Sequence, residues 1–291
     1  MVDSAILNNI LVFGPVFLLI AARAFAMIQT APLLSSEAVP MTAKFALAGL
    51  TAFAVLPTAE VFMAANAPNG IVTLPGGALS DLRREVFGLR FGLLLAGEAM
   101  IGIIIGFYMV IIFATFSTAG QFFSLQMGFG ASETFDPVAQ IENPLMGQYF
   151  NLVSMVIFVT IGGFHQLFLG GFWRSVQTIN IISLIEGREP VVTMVVAGLS
   201  RLFFDAIIIS LPIMGTLFLT SLTVGMIGKA APQINILSEG FPISILTAFS
   251  ILLASLPFMI EVFSRLIDAG FANIQTLYIQ IGRQITSGGG L

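Results

Sequence analysis

Of the 291 residues, 57% are hydrophobic and 9% are charged, against roughly 25% charged residues in a typical soluble domain, so the apolar surface exceeds what one globule can hide. The net charge of −4 comes without a basic stripe, which argues against nucleic acid as a partner. Cysteine is absent and histidine occurs once, at His165, which excludes disulfides, thiolate nucleophiles, iron–sulfur clusters and cysteine-ligated zinc and leaves the expectation of no cofactor and no metal.

Charge-free stretches cover residues 4–22, 45–59, 99–132, 143–173, 206–228 and 240–260. A membrane-spanning helix needs about 20 mostly apolar residues. The expected fold is therefore all-α, a membrane-associated helical bundle. The first stretch is read as a retained helix. Ala22-Arg23-Ala24 offers small-x-small cleavage geometry, but only Asp3 precedes the run, where a secretory signal opens with basic residues. Proline disfavours helical geometry in the residue before it, so Ala31-Pro32 and Val39-Pro40 mark breaks. A short second span over residues 44–56 is expected to end at Pro57. Residues 66–77, with Pro68, Gly70, Pro75, Gly76 and Gly77, read as a solvent-facing loop, and the cluster Asp81, Arg83, Arg84, Glu85 and Arg90 as an interfacial helix.

From residue 91 to 126 the apolar pattern is nearly unbroken, longer as a helix than a hydrocarbon core of about 30 Å. Gly102 and Gly106 stand four apart, with Gly120 further along, a spacing that lets a neighbouring helix approach closely. A loop over residues 127–144 follows, then an apolar run to Thr160 that ends at Gly162-Gly163. Residues 170–190 are mixed, with Trp173, Arg174, Glu186, Arg188 and Glu189, as at an interface. Two long helices, 191–228 and 241–282, are expected to form a hairpin through residues 229–240, each kinked at its central proline, Pro212 or Pro257. The glycine-rich tail 287–291 is expected to be flexible.

Lys and Arg are spread along the chain without the alternation of simple back-and-forth spanning, so the positive-inside rule gives no topology. The 127–144 loop does stand out, carrying Glu133, Asp136 and Glu142 and no base, and is expected to face the outer compartment or an aqueous lumen. Glu98 lies in an otherwise apolar helix, where a carboxylate is a functional hypothesis by default. A proton relay needs partners, and the nearest candidate in sequence is Arg90, so a structural role as a buried polar group is the favoured reading. His165 has no Asp, Glu or Cys nearby before it and reads as packing or capping. The loop is different in kind: Gly128 and Gly130 free the backbone, Phe129 and Phe135 supply apolar bulk, and Pro137 and Pro144 prevent continuation as helix. Such a loop reads as a gate or, on these features alone, as an ordinary connector.

Several short motifs resemble a known family. They are Ala119-Gly120-Gln121, Leu125-Gln126-Met127-Gly128, Phe135-Asp136-Pro137, Asn143-Pro144, Ala231-Pro232-Gln233 and Gly240-Phe241-Pro242. Arg23, Ala31-Pro32 and Ser36-Glu37-Ala38-Val39-Pro40 add an N-terminal match. Together they are similar to the FliR/SctT family of type III secretion export-gate subunits. The resemblance implies assembly with FliP and FliQ into a gate for unfolded export substrates in the bacterial inner membrane, at the flagellar basal body, with FlhB at the cytoplasmic entrance and FlhA beneath. It implies a FliP-like part over residues 1–189, a FliQ-like hairpin over 190–286, and burial of apolar surface against partner subunits above the bilayer. The family's plug loop falls on residues 129–141, which assigns Met127, Gly128, Phe129, Gly130, Phe135, Asp136, Pro137 and Ile141 to the plug and its hinge. Glu133 departs from the family's apolar tendency there. Pro232, Gln233, Gly240, Phe241 and Pro242 fall on the cytoplasmic-side hairpin loop.

Three other readings differ in class or setting. The T subunit of a virulence injectisome shares the same motifs. A secondary transporter would show duplicated, unwound helices around a midplane cluster, and no duplicated pair is visible. A membrane-embedded enzyme is disfavoured by one histidine and no cysteine.

Overall fold

Where no water is available, each backbone N–H must find its acceptor within its own segment, so apolar stretches of this length fold as helix. The computed structural model describes residues 2–66, 89–127, 145–179, 184, 188–231, 233 and 236–288. Its helices are α1 (Val2–Thr30), α2 (Met41–Asn66), α3 (Leu89–Met127), α4 (Leu145–Thr160), α5 (Gly163–Thr178), α6 (Arg188–Ala230) and α7 (Ile236–Gly288). No strand occurs among the described residues. Among the described residues four helices are long and apolar enough to cross a membrane, or five spans if the bent pair α4–α5 counts as one. The chain is an all-α membrane protein.

Proline is less disruptive here than its sequence positions suggest. The second span does not stop at Pro57: α2 runs on through it to Asn66. Proline frees one carbonyl, whereas leaving the helix in apolar surroundings would strand every following backbone group. Thr58 Oγ1 bonds back to the Val55 carbonyl at 2.7 Å. Likewise α6 passes through Pro212, and α7 through Pro242 and Pro257, without a break. Hydroxyls beside these prolines bond within their own helix, Thr216 to Pro212 O at 2.8 Å and Ser255 to Leu252 O at 3.1 Å. Helix α7 also starts earlier than expected, so Gly240, Phe241 and Pro242 are helical and the connector shrinks to residues 231–235. At its far end α7 includes Ser287 and Gly288 of the tail. Residues 67–88, with most of the expected loop and with Asp81, Arg83, Arg84 and Glu85 of the charge cluster, lie outside the described residues, as do 128–144 and 289–291, while Arg90 falls in the first turn of α3.

The chain forms two compact units, each drawn from discontinuous segments. The first comprises Met1–Val110, Phe164–Val195 and Phe271–Leu291, and the second Ile111–Gly163 and Val196–Gly270. In the first, α1 and α2 pair through a connector in which Lys44, buried, donates to the Ser35 carbonyl at 3.0 Å. Phe25 and Phe45 stack across this pair at 4.3 Å. Helix α3 meets α1 at its glycines: a Cβ on Gly102 would overlap the Arg23 carbonyl oxygen, and one on Gly106 would overlap Thr30 Oγ1.

The second unit is aromatic at heart. The Phe263 ring meets Phe116 edge-on at 4.4 Å and Phe113 at 5.6 Å, while Phe113 also meets Phe158 at 5.3 Å. Edge-to-face contacts of this kind add to the area they bury. Gly120 rests against the start of α4, where a Cβ would come within 2.7 Å of the Met146 carbonyl oxygen. Gly162, at φ +73°, closes α4 in the left-handed region.

These contacts make a test. Gly106→Leu should destabilise the α1–α3 contact by about 1–3 kcal/mol or more, since the neighbouring atoms include backbone. Gly92→Ala, whose added Cβ meets nothing within 4 Å, should leave stability unchanged. Thermal melting of the two purified variants in detergent checks the contrast, and equal melting would mean that α1 and α3 do not touch at these glycines.

Candidate functional site

Arg23 sits on α1 among small residues, Ala22, Ala24 and Ala26, which keep neighbouring helices close. The guanidinium is buried, and three residues satisfy it. Arg23 Nε donates to Glu98 Oε2 of α3 at 2.6 Å, with Nη2 at 2.5 Å from the same oxygen. Nη1 donates to Ser175 Oγ on α5 at 3.2 Å, and Nη2 donates to the Ile179 carbonyl at 2.9 Å. The side chains are 3% and 14% exposed for Arg23 and Glu98, which places this pair in the protected class rather than among solvent-screened surface pairs.

The acceptors exist because of how α5 is built. Residues Gln166–Trp173 form a π-helix, a form that leaves carbonyls differently placed from those of an α-helix. The Gly171 carbonyl accepts both the Arg174 N–H and the Tyr278 hydroxyl of α7, the latter at 2.7 Å. Ser175 Oγ donates to Phe172 O at 2.6 Å, which leaves its lone pair for Arg23. Ile179 is extended, at φ −122° and ψ 128°, so its carbonyl is outside the helix ladder and free to accept. A second polar bridge, Asn273 Nδ2 to Tyr108 Oη at 3.0 Å, ties α7 to α3.

This arrangement fastens helices. It has one acid, one base and hydroxyls already committed to carbonyls, and among the described residues no group of three or more His, Cys, Asp or Glu is placed to hold a metal. Reading α3 alone pointed from Glu98 to Arg90, whereas the partner is Arg23, 75 residues away. A sequence signal for it existed: Arg23 directly follows one charge-free stretch and Glu98 directly precedes another, and opposite lone charges in apolar helices seek each other.

The other expected site residues are placed as follows. Gly102 and Gly106 face α1, and Gly120 faces α4. Met127 is buried at the end of α3. Gly128, Phe129, Gly130, Phe135, Asp136, Pro137 and Ile141 lie outside the described residues, as does Pro232. Gln233 is exposed in the connector, and His165 is exposed at the bend between α4 and α5.

Fold and cluster together define a polytopic helical membrane protein whose buried polar groups hold helices together. The model of the family described as bacterial export proteins, family 1, matches residues 15–270, and the chain belongs to that family. Similar proteins include the flagellar biosynthetic protein FliR of Bacillus subtilis (strain 168), 24% identical over 278 residues that cover 95% of this chain and 99% of that protein. The protein of the same name in Escherichia coli (strain K12) is 28% identical over 239 residues, 81% of this chain and 82% of its own. The surface presentation of antigens protein SpaR of Shigella sonnei is 29% identical over 160 residues, 54% of this chain and 60% of its own. The chain is thus a membrane component of a bacterial export apparatus.

Removing one member of the buried pair should be worse than removing both. Arg23→Met leaves Glu98 without its counter-charge and should cost about 3–5 kcal/mol. Arg23→Met combined with Glu98→Leu should recover part of that loss. Denaturation of the unaltered protein, of Arg23→Met, of Glu98→Leu and of the double variant in the same detergent measures it, and a double variant as unstable as the sum of its singles would show that the two charges do not interact.

Proposed function

We propose that the chain is a non-enzymatic subunit of the type III protein export gate, forming with FliP and FliQ the channel through which unfolded flagellar proteins cross the inner membrane. One observation supports this beyond family membership. Large apolar side chains are exposed along α6 from Val192 to Ile227, about 52 Å at about 1.5 Å per residue, whereas a bilayer's hydrocarbon covers about 30 Å. Lipid cannot cover the remainder, so other protein must. A subunit that leaves its helices unpaired until it joins an assembly fits this surface, and a self-contained transporter does not.

In this reading the FliP-like part, residues 1–189, and the FliQ-like hairpin, 190–286, meet copies of FliP and FliQ, while FlhB and FlhA lie on the cytoplasmic side at the basal body. Gly240, Phe241 and Pro242 then belong to the cytoplasmic end of that hairpin. In this reading the plug is residues 129–141, preceded in the chain by the buried Met127 and with Gly128 and Gly130 as hinge. A channel wide enough for an unfolded chain leaks ions unless closed, and the Phe129 and Phe135 rings supply a water-excluding closure. The likeness to SpaR favours a second setting for the same subunit, a virulence injectisome, over which the broader flagellar coverage takes precedence.

Two measurements test the proposal. Affinity purification from membranes should recover the chain in a multi-subunit complex, and a stable, monodisperse monomer would overturn the assembly reading. Deleting residues 129–141 should raise ion leak and slow growth while the complex still assembles. Leak equal to that of the unaltered protein, with assembly intact, would leave the loop as an ordinary connector.

A further inference from the structure

Inside α5 the π-helical residues Gln166–Trp173 are followed by a single α-helical turn, Arg174–Thr178, and then by the extended Ile179. A turn closed from i to i+5 holds one residue more than a turn closed from i to i+4. That surplus residue decides what faces α1. With it, Ser175 is buried with its Oγ on Arg23, while Arg174 is exposed. Rewound as α-helix from the same start, the segment would carry each later residue one place further along. Arg174 would then take the place of Ser175, and a second guanidinium would meet Arg23 in buried surroundings, where like charges are weakly screened. The π winding is held from outside by the Tyr278 hydroxyl of α7, which donates to the Gly171 carbonyl at 2.7 Å.

We infer that Tyr278 is the register lock of α5: when its hydroxyl lets go, α5 slips by one residue and its contact with α1 turns from attractive to repulsive. Trp173 favours the slip. Its buried indole N–H has no acceptor, and one place further along the ring would take the exposed position that Arg174 now holds, so the present register carries a cost that the other relieves. The backbone is free to rewind at Gly170 and Gly171, where an added Cβ would meet nothing closer than 3.8 Å and 3.4 Å respectively. Against the slip stand the Tyr278 bond and the two bonds that Arg23 gives to Ser175 and Ile179. Lock and load are on different helices. Displacement of the C-terminal part of α7 therefore releases α5 from α1, while the Arg23–Glu98 pair keeps α1 joined to α3. By linkage, α5 seated on Arg23 holds Tyr278 in turn.

Hydrogen exchange read by mass spectrometry, on the full chain with its copurifying subunits in detergent, reports the end of α5 directly, because a single helical turn without a partner does not stay folded. Tyr278→Phe should raise exchange over residues 174–179 about two- to tenfold, the range a net hydrogen bond gives, and leave residues 146–158 of the other unit unchanged. Arg174→Ser alone should change nothing, since that side chain is exposed. Combined with Tyr278→Phe it should restore protection, because the slipped register then brings a serine to Arg23. Deleting Gly170 removes the surplus residue, so in that background Tyr278→Phe should have no effect on exchange. Unchanged exchange in Tyr278→Phe, loss of protection over 146–158 as well as 174–179, no recovery with Arg174→Ser, or a Gly170 deletion that loses protection or still needs the hydroxyl would each overturn the lock.

Discussion

A guanidinium inside a helical bundle is tolerable only when its charge is balanced and its donors are bonded, because unpaired ions lose several kcal/mol of hydration on burial. Arg23 meets both conditions through three residues at once, and the first unit is arranged around that requirement. Its backbone and side chain act together. The Arg23 carbonyl rests on Gly102, one turn beyond Glu98 on α3, so the close approach permitted by glycine is also what brings the carboxylate within reach. A larger residue at 102 would lengthen the ion pair as it pushed the helices apart. The same fork reaches the carbonyl of Ile179, and so fixes where the chain leaves α5. Planar, multidirectional bonding of this kind is available to arginine and not to lysine.

Outside that cluster the helices are prepared for an apolar environment on nearly every side. On α6 the buried positions, among them Leu202, Ala206, Ile209, Ile213 and Leu217, trace one narrow stripe, and many of the exposed side chains, among them Phe203, Leu211, Phe218 and Met226, are large and apolar. Its threonines are compatible with lipid or with protein because Thr216, Thr220 and Thr223 bond to carbonyls one turn back. The charge-free stretches 206–228 and 240–260 each measure about 32–35 Å as helix, close to the thickness of a hydrocarbon core of about 30 Å. Arg201 and Asp205 precede the first, and the Glu261–Arg265 pair follows the second, so charge begins where the hydrocarbon should end. What precedes Arg201 is still apolar, notably Leu199 and Val196.

Much of this was legible because hydropathy and helix length depend on local composition. The extents of α3, α4 and α6 follow from the apolar pattern and its flanking breaks, and Gly102 and Gly106 stood out by their spacing. Proline misled where local preference and environment disagree. At Pro57 and Pro242 the chain stays helical, because in apolar surroundings one lost hydrogen bond is a smaller penalty than an unravelled backbone. The site was half legible. Glu98 stood out as a lone acid, but its partner lies 75 residues away and depends on tertiary packing. The π-helix had no readable signature at all, since Gly170 and Gly171 permit it but the Tyr278 hydroxyl, far along the chain, is what bonds its carbonyl.

The same packing explains why a count of basic residues gives no topology. The positive-inside rule applies to lysines and arginines that sit in loops and meet the anionic leaflet. Arg23 and Lys44 are inside the protein, one balancing Glu98 and the other capping the Ser35 carbonyl, so neither can report a side of the membrane. Arg265 is matched by Glu261 one turn away, and Arg201 stands one turn before Asp205. Lys229, exposed in the last turn of α6, is placed where a cation also favours the helix dipole. Basic side chains used for fastening, pairing and capping carry no orientation signal, so depth in the bilayer is better read from where charge is missing than from where it is positive.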